Sequence, residues 1–220
     1  MKELNQYIDH TLLKPTASPE DIVALCKEAM EYNFYAVCVN SSYVYLAANE
    51  LKDAEVKVAA TVGFPLGAAS SEAKIHEAKM AVKNGADEID MVLNIGFLKA
   101  ELYKSVREEI TAVKKAIGRR VLKVIIETCY LSNSEKKMAA EIIKKAGADF
   151  VKTSTGFGEG GAQIQDIQLL KAAVGDVVKI KASGGIKTQT EALAFIKAGV
   201  DRIGTSKGVA LVYSSPEKKL

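Results

Sequence analysis

Three ionisable residues stand inside strongly apolar segments of this sequence. Asp90, Lys152 and Lys181 each directly follow an isoleucine or a valine. A single charged residue in such a segment is more often one that extends toward solvent or half of a structural ion pair. Two lysines at the same end of neighbouring predicted strands fit that interpretation poorly, because two ammonium groups held together repel each other. The pair therefore indicates a chemical role for a lysine.

A crowded pair of lysines can supply a neutral amine at neutral pH. A lysine with the ordinary pKa of about 10.4 is nucleophilic in only about one molecule in two thousand at pH 7, and lowering that pKa to about 7 costs roughly 4 to 5 kcal/mol. A second cation about 5 Å away contributes on the order of 3 kcal/mol at an effective dielectric constant near 20. Partial burial contributes the remainder.

The amine of Lys152, with Lys181 as the second cation, is predicted to attack an aldehyde or a ketone. The resulting iminium would accept the electron pair of a breaking carbon–carbon bond. Asp90 would move protons, directly or through a water molecule. These roles predict an enzyme that breaks or makes a carbon–carbon bond through a Schiff base on Lys152.

Alternating strands and helices are predicted to position these residues. The predicted strands are 7–11, 35–40, 56–62, 87–93, 121–127, 149–153, 177–182 and 200–205. The amphipathic segments between them include 18–33, 72–84, 98–117, 134–146 and 188–198. Segment 18–33 begins with Ser18 as its N-cap and Pro19 in its first turn, which is typical of a helix start.

Basic residues, a glycine and an acidic residue recur in that order where helices lead into strands, at 83–87, 144–149 and 197–201. The basic residues suit the end of a helix, and the glycine suits a left-handed cap. Strict alternation over the whole chain predicts a parallel sheet, and eight units in 220 residues predict closure. We therefore expect a single-domain α/β protein, residues 1–220, folded as a (β/α)8 TIM barrel with an additional N-terminal helix. Active sites of such barrels lie at the carboxyl ends of the strands.

Three further charged residues on the strands, Lys123, Glu127 and Lys179, are predicted to be structural. Lys179 shares the side-chain parity of Lys181, so it would point into the barrel one layer deeper. It would then need an acidic partner, and Glu127 is the candidate.

The glycine-rich segment 156–161 matches the Gly-x-Gly-x-x-Gly pattern of dinucleotide-binding loops. The match is weak, because Lys181 stands at the end of the next strand where an acidic ribose ligand would be needed. Loop flexibility or contact with phosphate is the favoured interpretation.

Two other glycine-rich segments, 183–186 and 204–208, follow the last two strands. Their backbone N–H groups can approach an anion, and a short helix is predicted to begin near Ser206. Because phosphate sites recur at this position in barrels, we predict one here. Lys207 would add a positive charge or face solvent.

The composition argues against several classes of partner. Thirty basic and 27 acidic residues are interspersed and give a net charge of only +3, so neither nucleic acid nor a membrane is predicted as a partner. The segment 217–219 is interpreted as a solvated tail. The first residues lack the apolar core of a signal peptide, and no apolar run has the length of a membrane span.

The cysteines and histidines are few and scattered. Cys26, Cys38 and Cys129 have no metal-like spacing, which predicts reduced thiols in a cytoplasmic protein and no metal site. His10 is expected to be packed or hydrogen-bonded rather than catalytic. His76 is expected on the surface of a helix.

Taken together, these motifs resemble those of the deoxyribose-phosphate aldolase family, and the resemblance covers nearly the whole chain. The segments that carry it are 8–15 (IDHTLLKP), 37–40 (VCVN), 85–92 (GADEIDMV), 123–128 (KVIIET), 149–157 (DFVKTSTGF) and 181–186 (KASGGI). The last two segments, in this order and with Asp90 upstream, are the most specific.

The resemblance implies reversible cleavage of 2-deoxy-D-ribose 5-phosphate to acetaldehyde and D-glyceraldehyde 3-phosphate, without a metal or another cofactor. It makes Lys152 the Schiff-base lysine, Lys181 its activating neighbour and Asp90 the acid of the proton relay. The substrate-binding residues that it implies are Asp9, Thr11, Cys38, Thr155, Gly156, Gly184, Gly185, Ser206 and Lys207. The partner is then a small phosphosugar, and the assembly a homodimer or a larger homo-oligomer.

The sequence departs from the pattern of some family members at two places. Some members have two serines after the last strand, where this chain has Ser206 and Lys207. Some end in a tyrosine that reaches the active site, whereas this chain ends in Leu220 and has its nearest tyrosine at Tyr213.

Three other functions remain open. The first is a Schiff-base barrel aldolase acting on a ketose phosphate, which would use dihydroxyacetone phosphate as donor instead of acetaldehyde. The others are a phosphosugar isomerase or synthase that uses only acid–base chemistry, and a phosphosugar-binding protein without catalysis. Neither of these two needs a neutral lysine.

Overall fold

Eight parallel strands close into a barrel in the computed structural model, which describes residues 3–213. The strands are β1 (Ile8–Leu12), β2 (Ala36–Val39), β3 (Lys57–Val62), β4 (Glu88–Val92), β5 (Val121–Ile125), β6 (Phe150–Lys152), β7 (Lys179–Ser183) and β8 (Arg202–Thr205). Each strand pairs with the next, and β8 pairs with β1 so that Asp9 lies opposite Gly204. The predicted (β/α)8 barrel is confirmed.

Helices connect consecutive strands around the outside of the barrel. They are α1 (Pro19–Glu31), α2 (Val44–Glu50), α3 (Ser71–Lys83), α4 (Ile95–Lys99), α5 (Tyr103–Ile117), α6 (Asn133–Ala146), α7 (Ile164–Val174), α8 (Gln189–Lys197) and α9 (Gly208–Val212). The additional N-terminal helix is a single 3-10 turn, Leu4–Tyr7. Segment 98–117, predicted as one helix, is divided between α4 and α5, with Glu101 between them in the left-handed region at φ 60°.

The ends of the helices follow the sequence signals. Ser18 caps α1 by accepting a hydrogen bond from the backbone N–H of Asp21, and Pro19 occupies the first turn, as predicted. Gly85, Gly147 and Gly199 have φ angles of 107°, 77° and 105°. A residue with a Cβ would be strained there, so these glycines allow each helix to turn directly into the next strand.

The two faces of the strands have opposite character. The outward side chains are almost all aliphatic and pack against the helices, as Ile89, Val151 and Ile180 do without any exposure to solvent. Each fully buried aliphatic side chain contributes about 1.5 to 3 kcal/mol. This outer layer stabilises the fold and lets the inward positions carry charged residues.

Lys179 does not have the predicted environment. It is the first residue of β7 and is exposed at the amino-terminal end of the barrel, with its Nζ 5.7 Å from the centre of the Phe150 ring. Glu127 follows the carboxyl end of β5, at the opposite end of the barrel. The predicted inward parity of Lys179 agrees with the structure. The predicted ion pair with Glu127 is wrong, because the two residues lie at opposite ends of the barrel.

Two expectations concern the periphery of the chain. The predicted solvated tail, 217–219, lies outside the described residues, as does Leu220. Among residues 3–213, no helix combines the length and the apolar character needed to span a membrane.

Candidate active site

The three residues singled out by chemistry meet inside the barrel. Lys152 on β6 and Lys181 on β7 lie directly opposite each other in the strand register. Their Nζ atoms lie 2.8 Å and 2.7 Å from the same atom, Oδ2 of Asp90. Since both contact one oxygen, the two nitrogens can be no more than about 5.5 Å apart. Both lysines point inward, and the predicted crowding is present.

Beneath this group the ionic contacts continue toward the floor of the barrel. Lys123 Nζ lies 2.7 Å from Asp90 Oδ1 and 2.5 Å from Glu88 Oε2. Arg202 donates hydrogen bonds to both Asp9 and Glu88, and its Nη2 lies 3.0 Å from Glu88 Oε2. The guanidinium carbon of Arg202 lies 3.5 Å from the centre of the Tyr35 ring.

The seven side chains form one cluster, which we call the barrel cluster. Its members are Asp9, Glu88, Asp90, Lys123, Lys152, Lys181 and Arg202. None of these side chains is more than 4% exposed. Four cations therefore face three carboxylates among the residues that the structure describes, so the fully ionised cluster carries one surplus positive charge.

The ionic contacts within the barrel cluster set the protonation state of several of its residues. Burial alone would raise the pKa of Asp90, but Lys123, Lys152 and Lys181 hold that pKa well below its ordinary value. Burial likewise opposes ionisation of Asp9, yet Arg202, Lys181 and Lys123 lower its pKa to about 2. Both carboxylates are therefore ionised at neutral pH.

Lys181 is held as a cation. Burial alone would lower its pKa, but the carboxylates of Asp9 and Asp90 more than offset burial and raise the pKa above its ordinary value. Lys123 behaves in the same way beside Asp90 and Glu88. Lys181 therefore has the permanent charge that the sequence-based proposal required of the second cation.

A cavity of about 310 Å³ opens above Lys152, at the carboxyl ends of the strands. On one side it is lined by Gly184, Gly185, Ser206 and Lys207, the predicted phosphate-binding residues. On the other sides it is lined by Thr11, Thr155 and Gly156. Seven of the nine predicted substrate-binding residues thus surround the one lysine of the barrel cluster that lines this cavity.

The remaining two predicted substrate-binding residues, Asp9 and Cys38, are fully buried below the cavity and do not line it, as is also the case for Asp90 and Lys181. Contact of Asp9 or Cys38 with the substrate stays a prediction. Asp9 is turned toward Lys181 and Arg202, and Cys38 lies with its Sγ 3.9 Å from Asp90 Oδ2. Burial raises the pKa of the Cys38 thiol, so it stays neutral and leaves the charge of the cluster unchanged.

Glu127 organises the loop after β6. Thr155 donates to Oε2 of Glu127 from its hydroxyl and from its backbone N–H, the latter over 3.1 Å. The Thr155 hydroxyl oxygen in turn accepts a hydrogen bond of 3.0 Å from the N–H of Phe157. Farther along this loop, Gly161 passes so close to the backbone of Gly184 that a Cβ at position 161 would lie 2.3 Å from the carbonyl oxygen. The loop is thus fastened to both neighbouring strands.

Several residues of the site were not found from the sequence. Glu88 and Arg202 belong to the barrel cluster, and Lys14, Phe157 and Lys187 line the cavity. Glu88 could have been found from the sequence, because it lies two residues before Asp90 on the same strand and therefore points to the same side of the barrel wall. The contact between Arg202 and Asp9 depends on closure between β8 and β1, which no local pattern reveals.

Neither of the two histidines, His10 and His76, lines the cavity. His10 is buried on the outer face of β1, with its Nε2 2.6 Å from Glu28 Oε2, and is hydrogen-bonded as expected. His76 is exposed on α3, also as expected. Within residues 3–213, no group of three or more His, Cys, Asp or Glu side chains is placed to hold a metal ion.

A buried lysine cluster below a cavity at the carboxyl ends of the strands is the layout of an active site in the class of (β/α)8-barrel enzymes. Comparison with known proteins is more specific. The family model of the DeoC/LacD family aldolases matches residues 4–211, and the chain belongs to this family. The resemblance inferred from the sequence motifs is confirmed.

Individual relatives agree with the family. A deoxyribose-phosphate aldolase from Thermococcus kodakarensis is 54% identical over 221 residues, which cover 99% of each chain. A solved aldolase structure, QR15, is 42% identical with a TM-score of 0.93 and covers 96% of this chain and 95% of its own. A tetrameric deoxyribose phosphate aldolase from Aeropyrum pernix is 32% identical with a TM-score of 0.87, covering 95% of this chain and 89% of its own.

Proposed function

We propose that this protein reversibly cleaves 2-deoxy-D-ribose 5-phosphate to acetaldehyde and D-glyceraldehyde 3-phosphate, through an imine on Lys152. Relatives that match nearly the full length of the chain carry the name of this activity. The observation that carries the mechanism is the unequal charge of the barrel cluster, in which Lys152 is the one cation that reaches the cavity.

The surplus charge selects Lys152 as the nucleophile. A buried cluster with unequal charge is costly, and losing one proton balances it. Lys181 contacts two carboxylates and Lys123 contacts three, and Arg202 is a guanidinium that does not deprotonate. Lys152 contacts only Asp90, which it shares with two other amines, so it has the fewest ionic contacts of the four cations.

The neutral amine then attacks C1 of the open-chain substrate, the hydroxyl of the resulting carbinolamine takes up a proton from solvent, and loss of water gives the iminium. This iminium restores a positive charge to a cluster that is balanced when the Lys152 nitrogen is neutral. Cleavage of the C2–C3 bond sends its electron pair into the iminium and produces a neutral enamine. The cluster therefore favours the electron flow of the cleavage step.

Proton transfers complete the cycle. The proton of the C3 hydroxyl passes to Asp90 through a water molecule, and D-glyceraldehyde 3-phosphate leaves. The same relay returns a proton to C2 of the enamine, and hydrolysis releases acetaldehyde and the free amine. Asp90 is placed for this role because its Oδ2 lies 2.8 Å from the Nζ of Lys152, the atom that carries the imine.

The phosphate is proposed to bind at the rim formed by Gly184, Gly185, Ser206 and Lys207. The two glycines have φ angles of 88° and 83°, in the left-handed conformation that exposes backbone N–H groups to an anion. Lys14 and Lys187, which line the same cavity, add positive charge. Thr11, Thr155 and Gly156 would enclose the sugar on the other sides.

We further propose a homodimer or a larger homo-oligomer in the cytoplasm, with no cofactor. The relative from Aeropyrum pernix is tetrameric. The three cysteines are free thiols, and Cys26 and Cys38 are buried, which suits a reducing compartment. Sedimentation velocity of the purified protein would give the oligomeric state.

Trapping of the imine tests the proposed function. The protein is incubated with acetaldehyde and sodium borohydride, digested, and mapped by mass spectrometry. We expect an ethyl group on Lys152, and cleavage of 2-deoxy-D-ribose 5-phosphate by the untreated enzyme. An active preparation that acquires no adduct on Lys152 would contradict the imine mechanism. Use of dihydroxyacetone phosphate as the donor in place of acetaldehyde would favour the ketose-phosphate alternative.

A further inference from the structure

Ser183 is a cavity residue that the mechanism above leaves without a role. We infer that its hydroxyl binds the C4 hydroxyl of the substrate, which is the 2-hydroxyl of D-glyceraldehyde 3-phosphate in the synthetic direction. Ser183 would thereby select acceptor aldehydes that carry a hydroxyl group beside the carbonyl. This inference rests on the proposed function.

The first observation is a buried hydroxyl group with nothing to bind. Ser183 is the last residue of β7, is 5% exposed and lines the same cavity as Lys152. Its Oγ has no hydrogen-bond partner in the part of the chain that the structure describes. Buried hydroxyl groups in native proteins are almost always satisfied, so a partner that arrives with the ligand explains this one.

The second observation is that the backbone of Ser183 is held in place and that the facing residue leaves room for its side chain. The N–H of Ser183 donates to the hydroxyl oxygen of Thr153, and that hydroxyl donates to the Ser183 carbonyl, each over 3.1 Å. The facing residue in the register is Gly204. A Cβ there would lie 2.4 Å from Ser183 Oγ and 3.0 Å from Lys181 Cε, so glycine leaves room for both side chains.

The position along β7 identifies the substrate atom. Ser183 lies two residues beyond Lys181 with the same inward parity and immediately before Gly184, at the phosphate rim. In the proposed substrate, C1 is joined to Lys152, the C3 hydroxyl faces the Asp90 relay, and the phosphate on C5 lies at the rim. The C4 hydroxyl is the polar group between these two ends, at the level of Ser183.

A comparison of two acceptors tests the inference. Aldol addition of acetaldehyde is measured with D-glyceraldehyde 3-phosphate and with 3-oxopropyl phosphate, which lacks the 2-hydroxyl. We expect Ser183→Ala to lower kcat/KM about tenfold for the first acceptor and less than twofold for the second. Ser183→Ala should also weaken the preference for D- over L-glyceraldehyde 3-phosphate, since the hydroxyl points elsewhere in the L isomer.

Ser154 provides the matched control. It is a fully buried serine two residues beyond Lys152, its Oγ also lacks a partner within residues 3–213, and it does not line the cavity. Ser154→Ala should leave the ratio between the two acceptors unchanged. Equal losses with both acceptors in Ser183→Ala, or no loss with either, would overturn the inference. Failure of the proposed function itself looks different, because the unaltered protein would then use neither acceptor.

Discussion

Within residues 3–213, two groups of paired ions have side chains that are at most 4% exposed, and one of the two, the barrel cluster, includes a residue that lines the cavity. Between the barrel and its helices, Lys74 on α3 pairs with Glu109 on α5 over 2.8 Å, and it also donates to the carbonyl of Val92 over 2.9 Å. The second carboxylate oxygen of Glu109 accepts a hydrogen bond of 3.1 Å from Ser71. This pair has one charge of each sign and every partner that it needs. The barrel cluster has four cations for three carboxylates.

The comparison shows how the number of carboxylates per amine sets the charge of a buried lysine. One carboxylate does not fully offset burial for Lys74, whose pKa is lowered. Two carboxylates more than offset burial for Lys181, whose pKa is raised. Lys152 contacts a single carboxylate, Asp90, which it shares with two other amines. Lys74 does not line the cavity and is assigned a structural role, whereas Lys152 lines it and is the amine to which the proposal assigns the chemistry.

Removal of the reacting amine should have the largest effect. Lys152→Ala is expected to reduce cleavage of 2-deoxy-D-ribose 5-phosphate by at least about 10³-fold, because no other lysine of the cluster reaches the cavity. The steady-state rate and the unfolding midpoint are measured together. Lys179→Met is the matched control, since this lysine lies on the neighbouring strand and is exposed. Near-normal turnover by Lys152→Ala would place the chemistry elsewhere.

Breaking the balanced pair should damage stability and leave the chemistry intact. Lys74→Met is expected to lower the free energy of unfolding by about 3 to 5 kcal/mol, because Glu109 remains buried without its cation. Urea denaturation measures the loss, and the double variant with Glu109→Leu should recover much of it. The pH–rate profile should not move. A shifted profile would mean that the two ionic groups are coupled.

Acid should remove more stability through the barrel cluster than through an exposed ion pair. The folded-state pKa of Asp9 is about 2 and its ordinary value is 3.8, so its ionised form stabilises the fold above pH 3.8. This contribution, about 2 kcal/mol, is lost as the pH falls through 2. Urea denaturation at pH 5, 3.5 and 2.5 should show a shallower loss in Asp9→Asn than in the unaltered protein.

Asp176 supplies the control for that experiment. It is exposed and pairs with Lys171 over 2.8 Å, and hydrogen bonding from that lysine lowers its pKa. Asp176→Asn should reproduce the acid response of the unaltered protein, because an exposed pair contributes little to stability. An identical response from Asp9→Asn would show that Asp9 is not stabilised as the geometry requires.

Charges at the floor of the barrel cluster should shift the chemistry by a smaller amount. Arg202→Met removes a cation, so Lys152 should retain its proton to higher pH and the acidic limb of the pH–rate profile should rise by about one unit. Glu88→Gln removes an anion and should move that limb the opposite way. Profiles of kcat/KM measure both shifts. If both variants moved the acidic limb in the same direction, the cause would be distortion of the barrel cluster and not the change in its charge.

The sequence revealed those parts of the site that depend on a single strand. Parity along β4, β6 and β7 placed Asp90, Lys152 and Lys181 together, and the glycines after β7 and β8 marked the rim of the cavity. Asp9 and Cys38, which the resemblance placed among the substrate-binding residues, lie beneath the cavity, because a motif does not report the depth of a side chain in the barrel.

Contacts that depend on barrel closure could not be read from local patterns. Arg202 reaches Asp9 across 193 positions of sequence, at the join between the last and first strands. Lys179 shows the converse error, because its inward parity was correct but the open end of the barrel gives it solvent instead of a carboxylate. The excess of cations over carboxylates in the barrel cluster therefore could not be predicted from the sequence and follows from the structure of the closed barrel.

The central claim is that this surplus charge, concentrated by Lys181, keeps the Lys152 amine free at neutral pH. The direct measurement is the extent of imine trapping on Lys152 as a function of pH, using short pulses of acetaldehyde and cyanoborohydride followed by peptide mapping. The exposed Lys79 in the same digest corrects for the pH dependence of the reagents. The unaltered protein and Lys181→Met are compared over the same pH range.

For the unaltered protein we expect the midpoint of trapping on Lys152 to lie well below that of the exposed Lys79. In Lys181→Met, the loss of the neighbouring cation should move this midpoint upward by at least about one pH unit. An unchanged or lower midpoint, with Lys152 still trapped, would contradict the account.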